Sequence, residues 1–232
     1  MSAVAVILGA GKGVRMKQIH NKLLLPLGIS TILELCLKPF LNHPSIGKIF
    51  LTVNSNDRSA FKKIVPNEVV LVEGGNRRQD SVHNAIMRVS SEKPPPEIVL
   101  IHDGARPFCS SVLIDNILAV ANDKGACIPV LPIFDTIRRI RETNTVVLDR
   151  SDLFTVQTPQ GFHTELLKNA SMSAIKNNWY VTDDASLVEK SGVKVATIEG
   201  ELQNIKITVP EDLERANYFL NSKKYAEIQS VK

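Results

Sequence analysis

Short apolar runs alternate along the chain with segments whose apolar residues recur at helical spacing. The β-branched runs predict strands, and the 3.6-residue period predicts amphipathic helices between them. The predicted strands are Val4–Leu8, Lys48–Val53, Val69–Glu73, Ile98–His102, Ala126–Val130, Val193–Ile198 and Lys206–Thr208. The predicted helices are Thr31–Leu41, Asp57–Ile64, Asp80–Val89, Ser111–Asp123, Thr164–Lys176, Asp183–Ser191 and Glu211–Leu220. This alternation predicts an α/β fold in which helices flank a single, mostly parallel twisted sheet of the Rossmann-like kind.

Several helix starts carry local signals. Ser110 or Ser111 is predicted to cap the fourth helix and Thr182 the sixth, because a side-chain oxygen there can accept from an unpaired amide. Pro210 suits the first turn of the last helix, where no backbone donor is needed.

The alternation of strands and helices changes between residues 133 and 158. Thr136–Ile140 and Val146–Leu148 flank a polar turn at residues 142–144, which predicts a β-hairpin. A hairpin arm projecting from the body exposes strand edges that a partner commonly covers, so we expect a homodimer. No Ser/Gly-rich or charged linker divides the chain. Residues 1–232 are therefore predicted to form one domain, with an arm at about 133–158.

Composition narrows the functional classes. A formal net charge of +4 and dispersed Lys and Arg residues argue against a nucleic-acid partner and favour a small acidic ligand. No segment approaches the roughly 20 apolar residues of a membrane span, and the first apolar run ends at once at Gly9, so neither a membrane span nor a secretion signal is predicted. Three cysteines without C-x-x-C spacing predict reduced thiols in a cytoplasmic protein.

The first predicted strand leads into a glycine-rich loop that spans Leu8–Met16. Its small and flexible residues predict a phosphate-binding turn, because backbone N–H groups can approach phosphate oxygens there. The alternative is an ordinary tight turn. The loop fits neither the dinucleotide fingerprint, because Val14 occupies the third glycine position, nor a Walker loop, because Gly13 follows Lys12. The candidate nucleotide-binding residues of this loop are Gly9, Ala10, Gly11, Lys12 and Gly13.

Two cations lie in and beside this loop. Arg15 is followed seven residues later by Lys22, and beside a triphosphate they could neutralise charge on the α-phosphorus and on departing pyrophosphate. Solvent-exposed surface charge is the alternative for each.

The segment His102–Pro107 also follows a predicted strand. Asp103 is then at a carboxyl edge of the sheet, where its carboxylate could bind a Mg²⁺ ion that bridges nucleotide phosphates. A simple ion pair between Asp103 and Arg106 is the alternative. We expect His102 to be a buried packing residue rather than a base.

A third segment, Gly74–Val82, joins the third strand to a helix. Backbone groups of Gly75 and Asn76 and the Ser81 hydroxyl could read a base edge at the same side of the sheet. Whether Arg77 and Arg78 face this site or only solvent is left open.

In combination these segments resemble the 2-C-methyl-D-erythritol 4-phosphate cytidylyltransferase family of isoprenoid biosynthesis. The matching segments are Gly9–Met16, Lys22, Gly74–Val82, His102–Pro107, Asp135–Arg139, Thr158–Gln160, Thr182–Ser186 and Asn204–Thr208. They occur in family order over essentially the whole chain. The family usually has Pro-Lys-Gln where this chain has Asn21-Lys22-Leu23.

The resemblance implies a role for each matched residue. Arg15 and Lys22 would stabilise the transition state, and Asp103 would bind magnesium. Gly9, Ala10, Gly75, Asn76 and Ser81 would surround the cytosine. Arg106 and Thr136 would hold the methylerythritol phosphate across a dimer, and Arg150 and Lys206 would add basic contacts to its phosphate.

The resemblance therefore implies transfer of CMP from CTP to a small phosphorylated polyol. The acceptor phosphate is already largely anionic at neutral pH, so no general base is required. Ribitol 5-phosphate with CTP, a sugar 1-phosphate with UTP, and a nucleotide-binding protein without turnover remain as alternatives.

Overall fold

The computed structural model describes residues 2–11 and 21–221. The strands of that part of the chain are β1 (Ala3–Leu8), β2 (Pro26–Leu27), β3 (Ser30–Thr31), β4 (Ile46–Val53), β5 (Val70–Glu73), β6 (Ile98–Asp103), β7 (Ala126–Pro132), β8 (Arg138–Arg141), β9 (Asn144–Val147), β10 (Phe154–Val156), β11 (Gln160–His163) and β12 (Ala196–Glu199). The helices are α1 (Ile32–Leu41), α2 (Arg58–Ile64), α3 (Arg78–Ser90), α4 (Ser111–Lys124), α5 (Thr164–Lys176), α6 (Asp184–Lys190) and α7 (Pro210–Leu220). No helix within these ranges is long and apolar enough to cross a membrane.

The central sheet runs in the order β10-β7-β11-β6-β1-β4-β5, and β12 also pairs with β7. Strand β1 lies parallel to both β4 and β6, β5 is parallel to β4, and β12 is parallel to β7. Strands β10 and β11 run antiparallel to their neighbours. The predicted α/β architecture with a mostly parallel sheet is confirmed.

Each face of the sheet packs on helices because side chains alternate along the strands. Ala5 and Ile7 of β1 belong to a core with Phe40 of α1 and Ile114 of α4. Their neighbour Val6 belongs to a second core on the opposite face, with side chains of α3, α5 and α6. Both cores hold the carboxyl ends of the parallel strands in fixed positions.

Most helix ends follow the local signals in the sequence. Ser110 caps α4 by accepting from Leu113 N at 3.0 Å, and Pro210 occupies the first turn of α7. The cap predicted at Thr182 is wrong. Asp183 caps α6 instead, because its carboxylate accepts from Ser186 N at 3.2 Å.

Two strands predicted near the C-terminal end of the described chain need correction. The predicted strand Lys206–Thr208 is not formed. Ile207 N donates to Ala105 O at 2.9 Å, but the segment does not pair with any strand of the described residues. The strand predicted at Val193–Ile198 is β12, which begins only at Ala196. Strands β2, β3, β10 and β11 were not predicted, because each has only two to four residues. Strands β2 and β3 pair with each other, whereas β10 and β11 depend on partners distant in sequence.

The predicted hairpin is present as β8 and β9, which pair antiparallel with Arg141 opposite Asn144. Glu142 adopts a positive φ of 49° in the turn. The segment 133–158 is not wholly separate from the body, because β10 pairs with β7 in the main sheet. Large apolar side chains of this segment are exposed: Phe134, Ile140, Val146, Val147 and Phe154.

Candidate active site

The parallel strands end level with one another at one edge of the sheet. Leu8, the last residue of β1, pairs with both Asp103 of β6 and Thr52 of β4, and Val53 of β4 pairs with Glu73 of β5. The loops after these strands enclose a cavity of about 420 Å³. A cavity at the carboxyl edge of a parallel sheet is the usual ligand position in such folds.

Nine of the predicted site residues line this cavity. They are Gly9, Ala10, Gly11, Lys22, Gly75, Asn76, Ser81, Asp103 and Lys206. Lys12, Gly13 and Arg15 lie outside the described residues, so the predicted partnership of Arg15 with Lys22 stays a prediction. Arg106, Thr136 and Arg150 are described but do not line the cavity.

The wall formed by Gly9 requires a glycine. Its amide donates to both the carbonyl and the hydroxyl oxygen of Thr52, at 3.0 and 3.2 Å. A Cβ at this position would lie 2.7 Å from Thr52 O, closer than real Cβ atoms come to a backbone oxygen. Only glycine therefore allows β1 and β4 to meet this tightly at the cavity floor.

Asn21 fixes the segment that carries Lys22. Its buried amide donates to Gly9 O and to Asp57 Oδ2, both at 2.9 Å, and its Oδ1 accepts from Leu23 N at 3.1 Å. Lys22 Nζ donates to Ile207 O at 2.7 Å, which places this cation beside the segment of Lys206. Asn21 stands where the family usually has proline, and its hydrogen bonds supply another restraint on the position of Lys22.

The loop after β5 forms the opposite wall. Ser81 Oγ accepts from Gly75 N at 3.0 Å and donates to Arg77 O at 3.2 Å. Ser81 lines the cavity, and because its hydroxyl is hydrogen-bonded to the backbone on both sides, it also fixes the conformation of this loop. Backbone groups of Gly75 and Asn76 remain the candidates for contact with a base.

Arg77 and Arg78 have different environments. Arg77 is 55% exposed and pairs with Asp80 of the same helical turn, with 2.7 Å between Arg77 Nη2 and Asp80 Oδ1. Arg78 is 29% exposed and reaches two acidic residues, with its Nη2 2.7 Å from Asp184 Oδ2 and its Nε 3.5 Å from Asp103 Oδ1. Both arginines line the cavity, but the Arg77 side chain is mostly exposed and pairs with Asp80, whereas Arg78 belongs to the charged centre around Asp103.

Asp103 is that centre. Its Oδ2 lies 2.7 Å from Lys206 Nζ and 3.9 Å from Arg106 Nε. Burial alone would raise the pKa of this carboxyl, but the cations of Lys206, Arg78 and Arg106 outweigh burial and hold the pKa well below its ordinary value. Asp103 is therefore a carboxylate at any physiological pH. The predicted pairing of Asp103 with Arg106 is present only as the longest of these three contacts.

Thr158 and His102 fix the backbone of Asp103 through a chain of hydrogen bonds. Asp103 N donates to Thr158 Oγ1 at 3.0 Å, and Thr158 Oγ1 lies 3.1 Å from His102 Nδ1. The other ring nitrogen, Nε2, lies 3.0 Å from Arg106 O, so it carries the proton and Nδ1 accepts. Burial lowers the pKa of His102 to about 4. The prediction of a buried packing histidine is confirmed, with both nitrogens engaged.

The three remaining candidates do not line the cavity, although Arg106 lies directly beside Asp103. Arg106 Nη1 donates to Asn204 O at 2.7 Å, and its Nε is buried without a hydrogen bond to any described residue. Arg150 donates from Nη1 to Phe134 O at the base of the arm, and Thr136 is exposed before β8. The structure therefore does not bring Thr136 and Arg150 to the other candidates.

The side chains at this site suit a magnesium ion whose coordination shell is completed by substrate phosphates and waters. The described residues contain no cluster of three or more His, Cys, Asp or Glu side chains, so a metal cage made by protein alone is absent from this part of the chain. Mg²⁺ commonly uses one or two carboxylates together with substrate phosphates and waters. A single hard carboxylate at Asp103, beside a glycine loop, fits that coordination.

Sequence reasoning missed the roles of Arg78, Asp184 and Thr158. Asp184 and Thr158 lie within the segments that carried the family resemblance, but no local pattern indicates what they contact. The Arg78 side chain bonds with Asp184 across 106 positions of the chain. Only the folded chain shows that these residues support Asp103.

Comparison with known proteins gives a consistent result over nearly the whole chain. A family model described as IspD, 2-C-methyl-D-erythritol 4-phosphate cytidylyltransferase, matches residues 3–222. The chain is 40% identical over 222 residues to the Bacillus cytotoxicus protein of that name, which covers 93% of this chain and 96% of the relative. A Bacillus mycoides relative of the same name is 40% identical over 225 residues, 94% of this chain and 98% of the relative.

Solved structures show the same similarity. The crystal structure of 2-C-methyl-D-erythritol 4-phosphate cytidylyltransferase from Thermus thermophilus matches with a TM-score of 0.79 and 32% identity, covering 94% of this chain and 99% of that one. The 4-diphosphocytidyl-2C-methyl-D-erythritol synthase of Anaerococcus prevotii matches with a TM-score of 0.82 and 28% identity, covering 95% and 99%.

Proposed function

The chain belongs to the 2-C-methyl-D-erythritol 4-phosphate cytidylyltransferase family and is the nucleotidyltransferase that joins CMP from CTP to this acceptor, and we propose that the reaction takes place in the cavity around Asp103. The observation that supports this location of the reaction is the register of the parallel strands. It sets the glycine loop after Leu8 directly beside Asp103, with Lys22 and Lys206 on the same cavity.

We place CTP between two loops. Its phosphates lie along the loop of Gly9, Ala10, Gly11, Lys12 and Gly13. The Gly9 N–H is already bonded to Thr52, so the backbone N–H groups that follow it in this loop are the donors proposed for phosphate oxygens. Its cytosine lies against the loop after β5, where the Gly75 carbonyl and the backbone groups of Asn76 are the proposed partners. The Gly75 N–H and the Ser81 hydroxyl are bonded within the loop and shape the wall beside the base. Lys22 and Arg15 neutralise charge that develops on the α-phosphate and pyrophosphate in the transition state.

We propose that Asp103 would hold the Mg²⁺ ion that accompanies CTP. Its hard oxygen ligands and its low pKa support this role, because the carboxylate needs no deprotonation before metal binding. When bound, the ion would withdraw charge from the phosphates and fix their orientation. Lys206, now 2.7 Å from Asp103 Oδ2, would then contact the acceptor phosphate.

The acceptor site is completed by a second subunit in this proposal. The exposed apolar side chains of the arm segment favour burial against another chain, so we propose a homodimer. Thr136 and Arg150 of one subunit would reach the methylerythritol phosphate in the site of the other. Arg106 would contact the same substrate, where its unbonded Nε offers a donor.

The chemistry requires positioning rather than a base. An oxygen of the acceptor phosphate attacks the α-phosphorus of CTP in line, a new P–O bond forms, and the bond to the bridging oxygen of the β-phosphate breaks to release pyrophosphate. A phosphomonoester is largely dianionic at neutral pH, so no proton has to be removed from the nucleophile. His102 is not a base in this scheme, because both of its nitrogens are buried and hydrogen-bonded.

The three buried cysteines are free thiols, which supports the proposal that the protein works in the reducing cytoplasm.

Pyrophosphate release tests the assignment. We expect release with CTP, Mg²⁺ and 2-C-methyl-D-erythritol 4-phosphate, and far less with ribitol 5-phosphate or when UTP replaces CTP. Faster release with ribitol 5-phosphate would reassign the acceptor. Calorimetric binding of CTP without pyrophosphate release for any acceptor would refute turnover. The position of the site is tested by Asp103→Asn, which should strongly reduce turnover in a protein that is still folded.

A further inference from the structure

Asp184 is a buried carboxylate that lies outside the cavity wall. It is the first residue of α6, and its side chain is 1% exposed. Its Oδ2 accepts from Arg78 Nη2 at 2.7 Å, whereas its Oδ1 has no hydrogen-bond partner among the described residues. Ion pairs buried in this way are seldom more stabilising than apolar residues of similar size. The pair therefore calls for an explanation other than stability.

Arg78 links this buried carboxylate to the cavity. Its rigid, planar guanidinium directs Nη2 to Asp184 at 2.7 Å and Nε towards Asp103 Oδ1 at 3.5 Å. Arg78 also lines the cavity that we assign to CTP. Because the contact with Asp184 is the shorter one, Asp184 determines where the guanidinium lies relative to Asp103.

The balance of charge around Asp103 shows why this position matters. Lys206, Arg78 and Arg106 place three cationic groups within 3.9 Å of a single carboxylate. Unopposed, these charges would repel a divalent ion at Asp103. Asp184 is the buried anion that offsets one of them. Because Arg78 makes its shorter contact with Asp184, its contact with the Asp103 carboxylate, the proposed metal ligand, is the longer one.

We propose that Asp184 is a positioning residue for the reaction: it holds Arg78 by a short ion pair, and thereby leaves the Asp103 carboxylate available to the metal–CTP complex. The inference rests on the proposed role of Asp103 as the metal ligand. Without Asp184, the Arg78 guanidinium turns towards Asp103 and its charge opposes the metal.

The test measures CTP affinity by calorimetry, without acceptor, in the presence and in the absence of Mg²⁺. The ratio of the two affinities is the Mg²⁺-dependent gain. Asp184→Asn keeps the shape of the side chain and removes its charge. We expect the Mg²⁺-dependent gain to fall by about 10-fold or more, and kcat to fall by about 10- to 100-fold, the usual effect of losing a group that orients a metal ligand.

Asp183→Asn is the matched control. It makes the same change of charge one residue earlier, where the side chain caps α6 and contacts Gln160 rather than Arg78. Asparagine caps helices about as well as aspartate does, so this variant should keep the wild-type gain. An Asp184→Asn variant that binds CTP and Mg²⁺ as the Asp183→Asn variant does would overturn the inference.

A second background separates positioning from folding. Asp184→Asn leaves Arg78 partly buried beside one acid instead of two, so thermal unfolding is measured first. In the Arg78→Gln background the same substitution leaves no unpaired guanidinium, and we expect it to change the Mg²⁺-dependent gain by less than about twofold. An equal loss in both backgrounds would show that Asp184 does not act through Arg78.

Two measurements distinguish this inference from the proposed function. Wild-type pyrophosphate release reports on the function itself, whatever the outcome for Asp184. A normal Mg²⁺-dependent gain in Asp103→Asn would refute the metal site at Asp103, and with it the role of Asp184, while the transferase assignment would stand.

Discussion

Acidification should destabilise this protein through His102, because the ring is neutral and buried in the native state. Burial lowers its pKa from 6.5 to about 4, against smaller opposing effects that include a hydrogen bond with Arg106 O and the charge of Asp103. Between these two pH values the unfolded chain binds a proton at this ring that the folded chain does not. The free energy of unfolding should therefore rise with pH across this window and fall on acidification.

The size of the effect follows from the shift in pKa. A difference from 6.5 to about 4 corresponds to about 3 kcal/mol of stability that is present above pH 6.5 and lost below pH 4. The slope cannot exceed about 1.4 kcal/mol per pH unit, because one ring binds one proton. Loss of the neutral ring would also disturb the hydrogen bond that orients Thr158 towards Asp103 N.

Urea unfolding followed by fluorescence of the single tryptophan, Trp179, measures this free energy between pH 4.5 and 7.5. In His102→Gln the ring cannot titrate, so the difference between wild type and variant should grow with pH. Other shifted groups, such as Asp184 and Glu201, titrate in both proteins and cancel in the difference. His163→Gln, which removes an exposed imidazole of β11, serves as the control. A wild-type-minus-variant difference that is flat across the range would contradict the reasoning.

Three further expectations concern the site and the assembly. Arg15→Ala and Lys22→Ala should each lower kcat by about 10² or more in the pyrophosphate assay, the scale seen when a preorganised charge-stabilising donor is removed, and near-normal turnover would exclude the role of that residue. Gly9→Ala should weaken CTP binding and lower the melting temperature, because the new Cβ would collide with Thr52 O at 2.7 Å; unchanged values of both would show that the strand ends can separate. Light scattering should show a dimer at micromolar concentration, and a monomer would contradict the role proposed for the arm.

Much of the site follows from local patterns. Short β-branched runs predict β1, β4, β5 and β6 within one or two residues of their observed limits. Parallel strands bring their carboxyl ends to one edge, so a glycine loop after the first and an aspartate at the end of another must lie close together. The short antiparallel strands β10 and β11 lack such a signal, because their pairing with β7 comes from contacts distant in sequence.

By itself, the sequence determined the α/β fold, the edge of the sheet at which the candidate residues meet, and the family to which its ordered motifs belong. Periodicity and glycine placement are local properties, and they are sufficient to specify elements and the loops that follow them. The tertiary structure alone decided that Arg78 contacts Asp103 while Arg77 pairs with Asp80, and that Asp184 binds Arg78 from 106 positions away. The burial and pairing of a charge depend on which distant elements surround it, and neighbouring residues in the chain do not carry that information.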